Sequence, residues 1–174
     1  FGIARAMKGG VGTASVTAHG VTVGALIACN AVGDVLDPDT AQVVAGARTA
    51  DGRNLLDSRR ALLRGELPQS VLPGTNTTIG VVATDAVITK VQAQRLAVAA
   101  HDGLARSINP VHTQLDGDTL FALGTGVSGL NPGMLVLATL AAEATARATL
   151  RAVQMARSIT TKEGLVLPAW VDRG

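Results

Sequence analysis

Tyrosine is absent from this sequence, tryptophan occurs once and phenylalanine twice, so aromatic residues make up only 2% of it. The core must therefore be filled by alanine, valine, leucine and isoleucine. Layers of such small side chains can approach closely, which suits sheets and helices stacked in a sandwich. Cysteine is almost missing as well. Cys29 stands alone, which excludes a disulfide within the chain and a cysteine zinc site, and points to a reducing, cytoplasmic setting. Charge is sparse: 15 basic against 13 acidic residues give a net charge of +2, and charged residues are 16% of the whole. With no basic run and no aromatic interleaving, nothing points to nucleic acid as a partner. No signal-peptide pattern opens the chain, and its longest apolar helical stretch is too short for a membrane span. What the chain does have is apolar bulk, 47% of 174 residues, enough for one domain with a sizeable core. It begins at Phe1, without methionine and inside what reads as an ordered segment, as a fragment of a longer precursor would.

The first stretch with possible chemistry is Lys8-Gly9-Gly10-Val11-Gly12-Thr13. It approaches a phosphate-binding loop, but Thr13 stands where a second lysine would reach the phosphates, and no apolar strand precedes it. A glycine loop that lets backbones approach closely is the plainer reading. Val21 to Asn30 reads as a mostly buried strand. Asn30 at its end is either a turn residue or a side-chain donor to a developing oxyanion. Asp37-Pro38-Asp39-Thr40 and Asp51-Gly52-Arg53 read as turns, with a short strand from Gln42 to Ala45 between them. Ser58 to Arg64 is a basic helical piece, with Arg59, Arg60 and Arg64 on a solvated face. From Gly65 to Thr75 the prolines and the lack of periodicity give an exposed linker, where a processing cut is tolerated.

Beyond the centre of the chain, Thr89 and Gln92 predict a capping box for a helix from Lys90 to Ser107. Ala93, Ala97, Ala100, Leu104 and Ile108 form its buried face, with His101 beside it. Asn109 to Thr119 is a helix stop and loop, followed by a strand from Leu120 to Gly124. His112, Asp116 and Asp118 suit either a surface turn or a metal, but the other calcium positions are missing and one histidine is thin for zinc. No metal is expected. The glycines from Gly124 to Gly133 suit a pocket mouth. Asn131 as N-cap and Pro132 in the first turn predict a long helix to about Arg157, with Glu143, Arg147 and Arg151 at i, i+4. Its alanine-rich surface and the apolar tail from Leu165 to Trp170 imply packing on a sheet or another subunit, and so a homo-oligomer.

The rest of the chain is arranged around Leu72-Pro73-Gly74-Thr75-Asn76-Thr77-Thr78-Ile79-Gly80-Val81-Val82-Ala83-Thr84-Asp85. A Pro-Gly turn is followed by small polar residues and then by a β-branched run that reads as a buried strand. Asn76 and Thr77 are either ordinary turn residues or a cleavage point. If the Asn76–Thr77 bond breaks, Thr77 carries a free α-amine beside its own hydroxyl, and one residue holds both base and nucleophile.

The run from Asn76 to Ala86 resembles the autocleavage site of the L-aminopeptidase/D-esterase family of self-processing hydrolases, which includes β-peptidyl aminopeptidases and nylon-oligomer hydrolases. Met7 to Ser15, Ala28-Cys29-Asn30-Ala31-Val32-Gly33-Asp34 and Asp116-Gly117-Asp118-Thr119 match in the same order. The threonine at the cleavage position and the paired aspartates are most similar to the nylon-oligomer branch. The resemblance implies an α+β fold, a four-layer αββα sandwich with helices outside two facing sheets. It implies a single hydrolase domain, self-cleaved into residues 1–76 and 77–174, that needs no cofactor. Its substrate would be a small amide or oligopeptide. Thr77 would be the nucleophile and Asn30 the oxyanion donor, with Lys8 tuning the amine and Asp116 and Asp118 accepting from its amine and hydroxyl. An acyltransferase of the ornithine acetyltransferase type and a non-catalytic assembly protein remain as alternatives.

Overall fold

The computed structural model describes residues 1–68 and 76–173. The Pro73-Gly74 turn and the rest of the linker after Pro68, residues 69–75, lie outside the described residues. In chain order the main elements are β1 (Gly10–Ala18), β2 (Val21–Cys29), β3 (Asp34–Leu36), β4 (Val43–Ala45) and α1 (Ser58–Leu63). Then come β5 (Ile79–Thr84), α2 (Lys90–Ser107), β6 (Ile108–Asn109), β7 (Thr119–Gly124), α3 (Met134–Gln154), β8 (Ile159–Thr160) and β9 (Val166–Leu167).

β1 and β2 form a hairpin through His19 and Gly20, both at positive φ (52° and 75°), the backbone that a tight two-residue turn demands. The main sheet runs β1-β2-β5-β7, with β5 antiparallel to β2 and parallel to β7. α2 supplies the crossover between the two parallel strands. Alternate residues of the strands, Val21, Val23, Ala25 and Ile27 with Val82 and Leu120, are buried with Leu96 and Leu104 of α2 and Leu137 and Leu140 of α3. The other face of the sheet is apolar but open: Val11, Leu26, Ile79, Phe121 and Leu123 are all exposed. The described residues thus form a sheet layer and a helix layer of an α+β architecture. A smaller sheet, β4-β3-β6, sits beside them.

Small residues permit this packing. A Cβ on Gly12 would collide with the Ala148 carbonyl and the Ala152 amide, and one on Gly10 with the Ala152 carbonyl. α3 therefore lies directly on β1. Gly10 and Gly12, read from sequence as a loop, are strand residues. β1 is not legible in the sequence because glycine is a poor strand former in isolation. Near it, Asp34 is buried and accepts from the Ser58 amide (2.5 Å), the Ser58 hydroxyl (2.8 Å) and the Ala47 amide (3.0 Å), which pins α1 to β3.

The capping box of α2 forms as expected: Thr89 Oγ1 accepts from the Gln92 amide (3.2 Å) and Gln92 Oε1 from the Thr89 amide (2.9 Å). Its buried face is Leu96, Ala100, Gly103, Leu104 and Ser107, which leaves Ala93 and Ala97 half-buried. α3 is capped differently from expectation. Gly133 is its N-cap, and the Asn131 side chain accepts from the Gly133 amide (3.0 Å) just outside the helix. Glu143 pairs with Arg147 on α3 (2.7 Å) and with Arg106 on α2 (2.9 Å), joining the two helices. The C-terminal tail folds back on its own chain. The Pro168 carbonyl accepts from the Lys8 amide (2.9 Å), Ala169 is buried, and Asp172 bonds the Ser158 hydroxyl.

Candidate active site

Four strand ends meet at one end of the main sheet. β1 begins where β2 finishes, with Gly10 opposite Cys29. β5 begins beside that point, with Ile79 opposite Ala28, and Thr119 of β7 lies opposite Ile79. Lys8, Asn30, Thr77 and Asp118 precede or follow these ends by one or two residues each. The topology thus gathers segments 110 residues apart in sequence at one rim.

At the rim, the Asn76–Thr77 peptide is held from both sides. The Thr77 amide donates to the Asn30 carbonyl (2.9 Å), and the Gly117 amide donates to the Asn76 carbonyl (3.0 Å). The Thr77 hydroxyl donates to that same carbonyl oxygen (2.7 Å). It therefore lies against the carbonyl group of the bond before it, which already has a backbone donor on its oxygen. A Cβ on Gly117 would come within 2.8 Å of Thr77 Oγ1, so this position must stay small. The sequence marks Gly117 only as a lone glycine between two aspartates.

Asp118 bonds the backbone beside Thr77, whereas Asp116 bonds the neighbouring loops. Asp118 Oδ1 accepts from the Thr78 amide (2.9 Å), and its Oδ2 lies 3.0 Å from His112 Nδ1. Asp116 Oδ1 accepts from the Val32 amide (3.1 Å), and Oδ2 accepts from the Thr113 amide (3.2 Å) and hydroxyl (2.7 Å). Asp116 thereby ties the loop after Asn30 to the loop before β7, and residue 76 bridges residue 116. Asp118 thus serves the amide next to Thr77, Asp116 serves Val32 and Thr113, and the Thr77 hydroxyl serves Asn76 rather than either carboxylate. Lys8 Nζ donates to the Gly9 carbonyl (2.7 Å). Gly9 packs so tightly on Cys29 that its Cβ position overlaps the Cys29 carbonyl and lies 3.9 Å from Asn30 Cα.

Behind the site, Thr78 and Cys29 are buried. Burial pushes the Cys29 thiol up to about 11, and the charges of Asp118 and Asp116 push the same way. The Ala31 amide opposes the burial shift, more strongly than either aspartate charge adds to it. His101 of α2 packs its ring on His112, with centroids 4.9 Å apart. Burial holds its pKa below the usual histidine value, and the neighbouring His112 adds to this.

A sheet backed by two helices, with Thr77 at the mouth of β5, is the arrangement to compare with known proteins. Solved structures share this fold, among them aminopeptidases with the N-terminal-nucleophile hydrolase fold. The Burkholderia sp. β-aminopeptidase superposes over 97% of this chain and 48% of its own, with a TM-score of 0.60 and 26% identity. The L-aminopeptidase D-Ala-esterase/amidase of Ochrobactrum anthropi, described as a variant of that fold, superposes over 97% of this chain and 47% of its own (TM-score 0.62, 22% identity). The chain belongs to peptidase family S58, whose model matches residues 2–167. An uncharacterised aminopeptidase of Mycobacterium tuberculosis is 46% identical over 147 residues, covering 80% of this chain and 42% of that protein. A 6-aminohexanoate-oligomer endohydrolase of Kocuria sp. is 32% identical over 108 residues, 60% of this chain and 30% of that protein. The chain spans less than half the length of the curated relatives it matches.

Proposed function

We propose that this chain is the catalytic part of a self-processing amide-bond hydrolase whose nucleophile is Thr77. The reading is carried by one observation: the Thr77 hydroxyl lies 2.7 Å from the Asn76 carbonyl oxygen, on which the Gly117 amide also rests. Attack of Thr77 Oγ on the Asn76 carbonyl carbon forms a tetrahedral oxyanion, which the Gly117 amide stabilises from its existing place. The Cα-linked nitrogen of Thr77 leaves with the hydroxyl proton, giving an ester between Asn76 and Thr77 Oγ. Water hydrolyses that ester and yields the Asn76 carboxylate and a Thr77 with free amine and free hydroxyl. The domain then consists of two chains, 1–76 and 77–174, folded as one unit.

In the mature enzyme the Thr77 amine takes the proton from its own hydroxyl as Oγ attacks a substrate amide. The Asn30 carbonyl, which accepts from the Thr77 nitrogen before cleavage, keeps that amine in place. The Asn30 side chain stabilises the oxyanion and Lys8 disfavours the protonated amine. Asp116 and Asp118 keep the surrounding backbone in register. Water releases the acyl group, and no cofactor enters the scheme. Substrates are amides of small peptides, β-peptides or nylon-type oligomers, in keeping with relatives named aminopeptidase, β-aminopeptidase and 6-aminohexanoate-oligomer endohydrolase. Exposed Val87, Val91, Val127, Leu130 and Leu135 support assembly of the cleaved unit into a homo-oligomer.

Incubating the matured full-length protein with amino-acid amides and 6-aminohexanoate oligomers tests the reaction. Hydrolysis that disappears in Thr77→Ala supports it. Equal hydrolysis by that variant would remove Thr77 from the chemistry. Transfer of the acyl group to added amines in preference to water would make the protein an acyltransferase instead.

A further inference from the structure

His112 has no part in the scheme above, yet it completes the polar network behind Thr77. The Asp118 side chain is 4% exposed, with one oxygen on the Thr78 amide and the other on His112 Nδ1. The terminal torsion of a carboxylate is broad, so one hydrogen bond leaves the group free to swing, whereas two partners on opposite oxygens fix it. His112 itself is held in two ways. Its backbone is left-handed, with φ at 54°, a region where histidine and asparagine are enriched among non-glycine residues. The His101 ring of α2 packs against its imidazole, so the helix sets the ring that sets the carboxylate.

We propose that His112 is a positioning residue for Thr77. By holding Asp118 Oδ2 it keeps Oδ1 on the Thr78 amide, and that amide fixes the backbone from which the Thr77 hydroxyl is aimed at the Asn76 carbonyl. The Asn30 carbonyl pins the amide before it. Losing His112 therefore releases one side of the peptide pair while leaving the other attached. The inference rests on the self-processing reading and extends it to a residue outside the reacting atoms.

The test follows the first-order rate of self-cleavage in the freshly made full-length precursor, for the wild type, His112→Gly and His112→Asn. Glycine relaxes the left-handed backbone and removes the donor. Asparagine also tolerates that backbone and returns an amide donor close to the Nδ1 position. Loss of a hydrogen bond to a buried carboxylate predicts about a tenfold or greater slowing in His112→Gly. His112→Asn should recover to within about threefold of the wild type, with unfolding midpoints alike in all three. A glycine variant that cleaves at the wild-type rate overturns the inference, as does an asparagine variant as slow as glycine. If His112→Gly does not fold, the asparagine variant decides: near wild-type cleavage supports the role, and tenfold slowing in a folded protein overturns it. A wild type that never cuts itself removes the proposed function, whereas a cutting wild type with an unaffected glycine variant removes only the role of His112.

Discussion

A single methyl group separates Gly117 from the residue its position forbids. Its amide holds the Asn76 carbonyl, and its missing side chain leaves room for the Thr77 hydroxyl. Gly117→Ala should therefore push the hydroxyl off its line, slowing self-cleavage about tenfold or more while leaving the unfolding midpoint nearly unchanged. Timed gels under denaturing conditions would show it, and unchanged cleavage would mean the hydroxyl has slack. Thr77→Ser keeps the attacking oxygen and should cleave more slowly than wild type, while Thr77→Ala should fold and stay uncut. Cys29 offers a pH test of the same region. Its thiol is raised to about 11 from an ordinary value of 9.0, first by burial. A group whose folded pKa is raised contributes stability fully below its unfolded pKa, and loses it as pH climbs through the folded one. Relative to Cys29→Ala, the wild type should lose about 3 kcal/mol of stability between pH 9 and 11. Paired denaturant titrations across that range would check this, and parallel pH curves would place the thiol outside the core.

At the scale of elements, packing and caps were unequally visible in the sequence. α2 was legible to the residue at both ends, because its capping box and its apolar spacing say the same thing. α3 was legible as a helix but not at its start, since Asn131 hydrogen-bonds outside the helix and Gly133 takes the cap. β1 was not legible at all. Its glycines read locally as a loop, and only α3 lying on them gives them a strand's role. Two substitutions weigh these effects. Thr89→Ala removes one cap and should cost about 1 kcal/mol. Gly12→Ala drives a methyl into the α3 backbone and should cost about 1–3 kcal/mol or more. Thermal unfolding of both variants under one condition should rank Gly12→Ala as the more destabilised, and the reverse order would mean that α3 stands clear of β1.

For the whole molecule, the candidate site is gathered by four strand ends that share one rim of the sheet. Lys8, Asn30, Thr77 and Asp118 are far apart in the sequence, and no local pattern connects them. Their grouping was legible only through resemblance, whereas His112 and Gly117 required coordinates. Asp118 was expected beside the nucleophile. The structure adds that it reaches Thr77 through the Thr78 amide, with His112 behind it. The open apolar face of the sheet, with Leu26, Ile79 and Phe121 exposed, lies outside that grouping. Everything proposed for function depends on one bond breaking. Intact mass and N-terminal sequencing of the denatured full-length protein, after incubation at neutral pH, test it most directly. The account predicts two pieces, one of which begins at Thr77. A single uncut chain, or a piece beginning at Thr78, would contradict it.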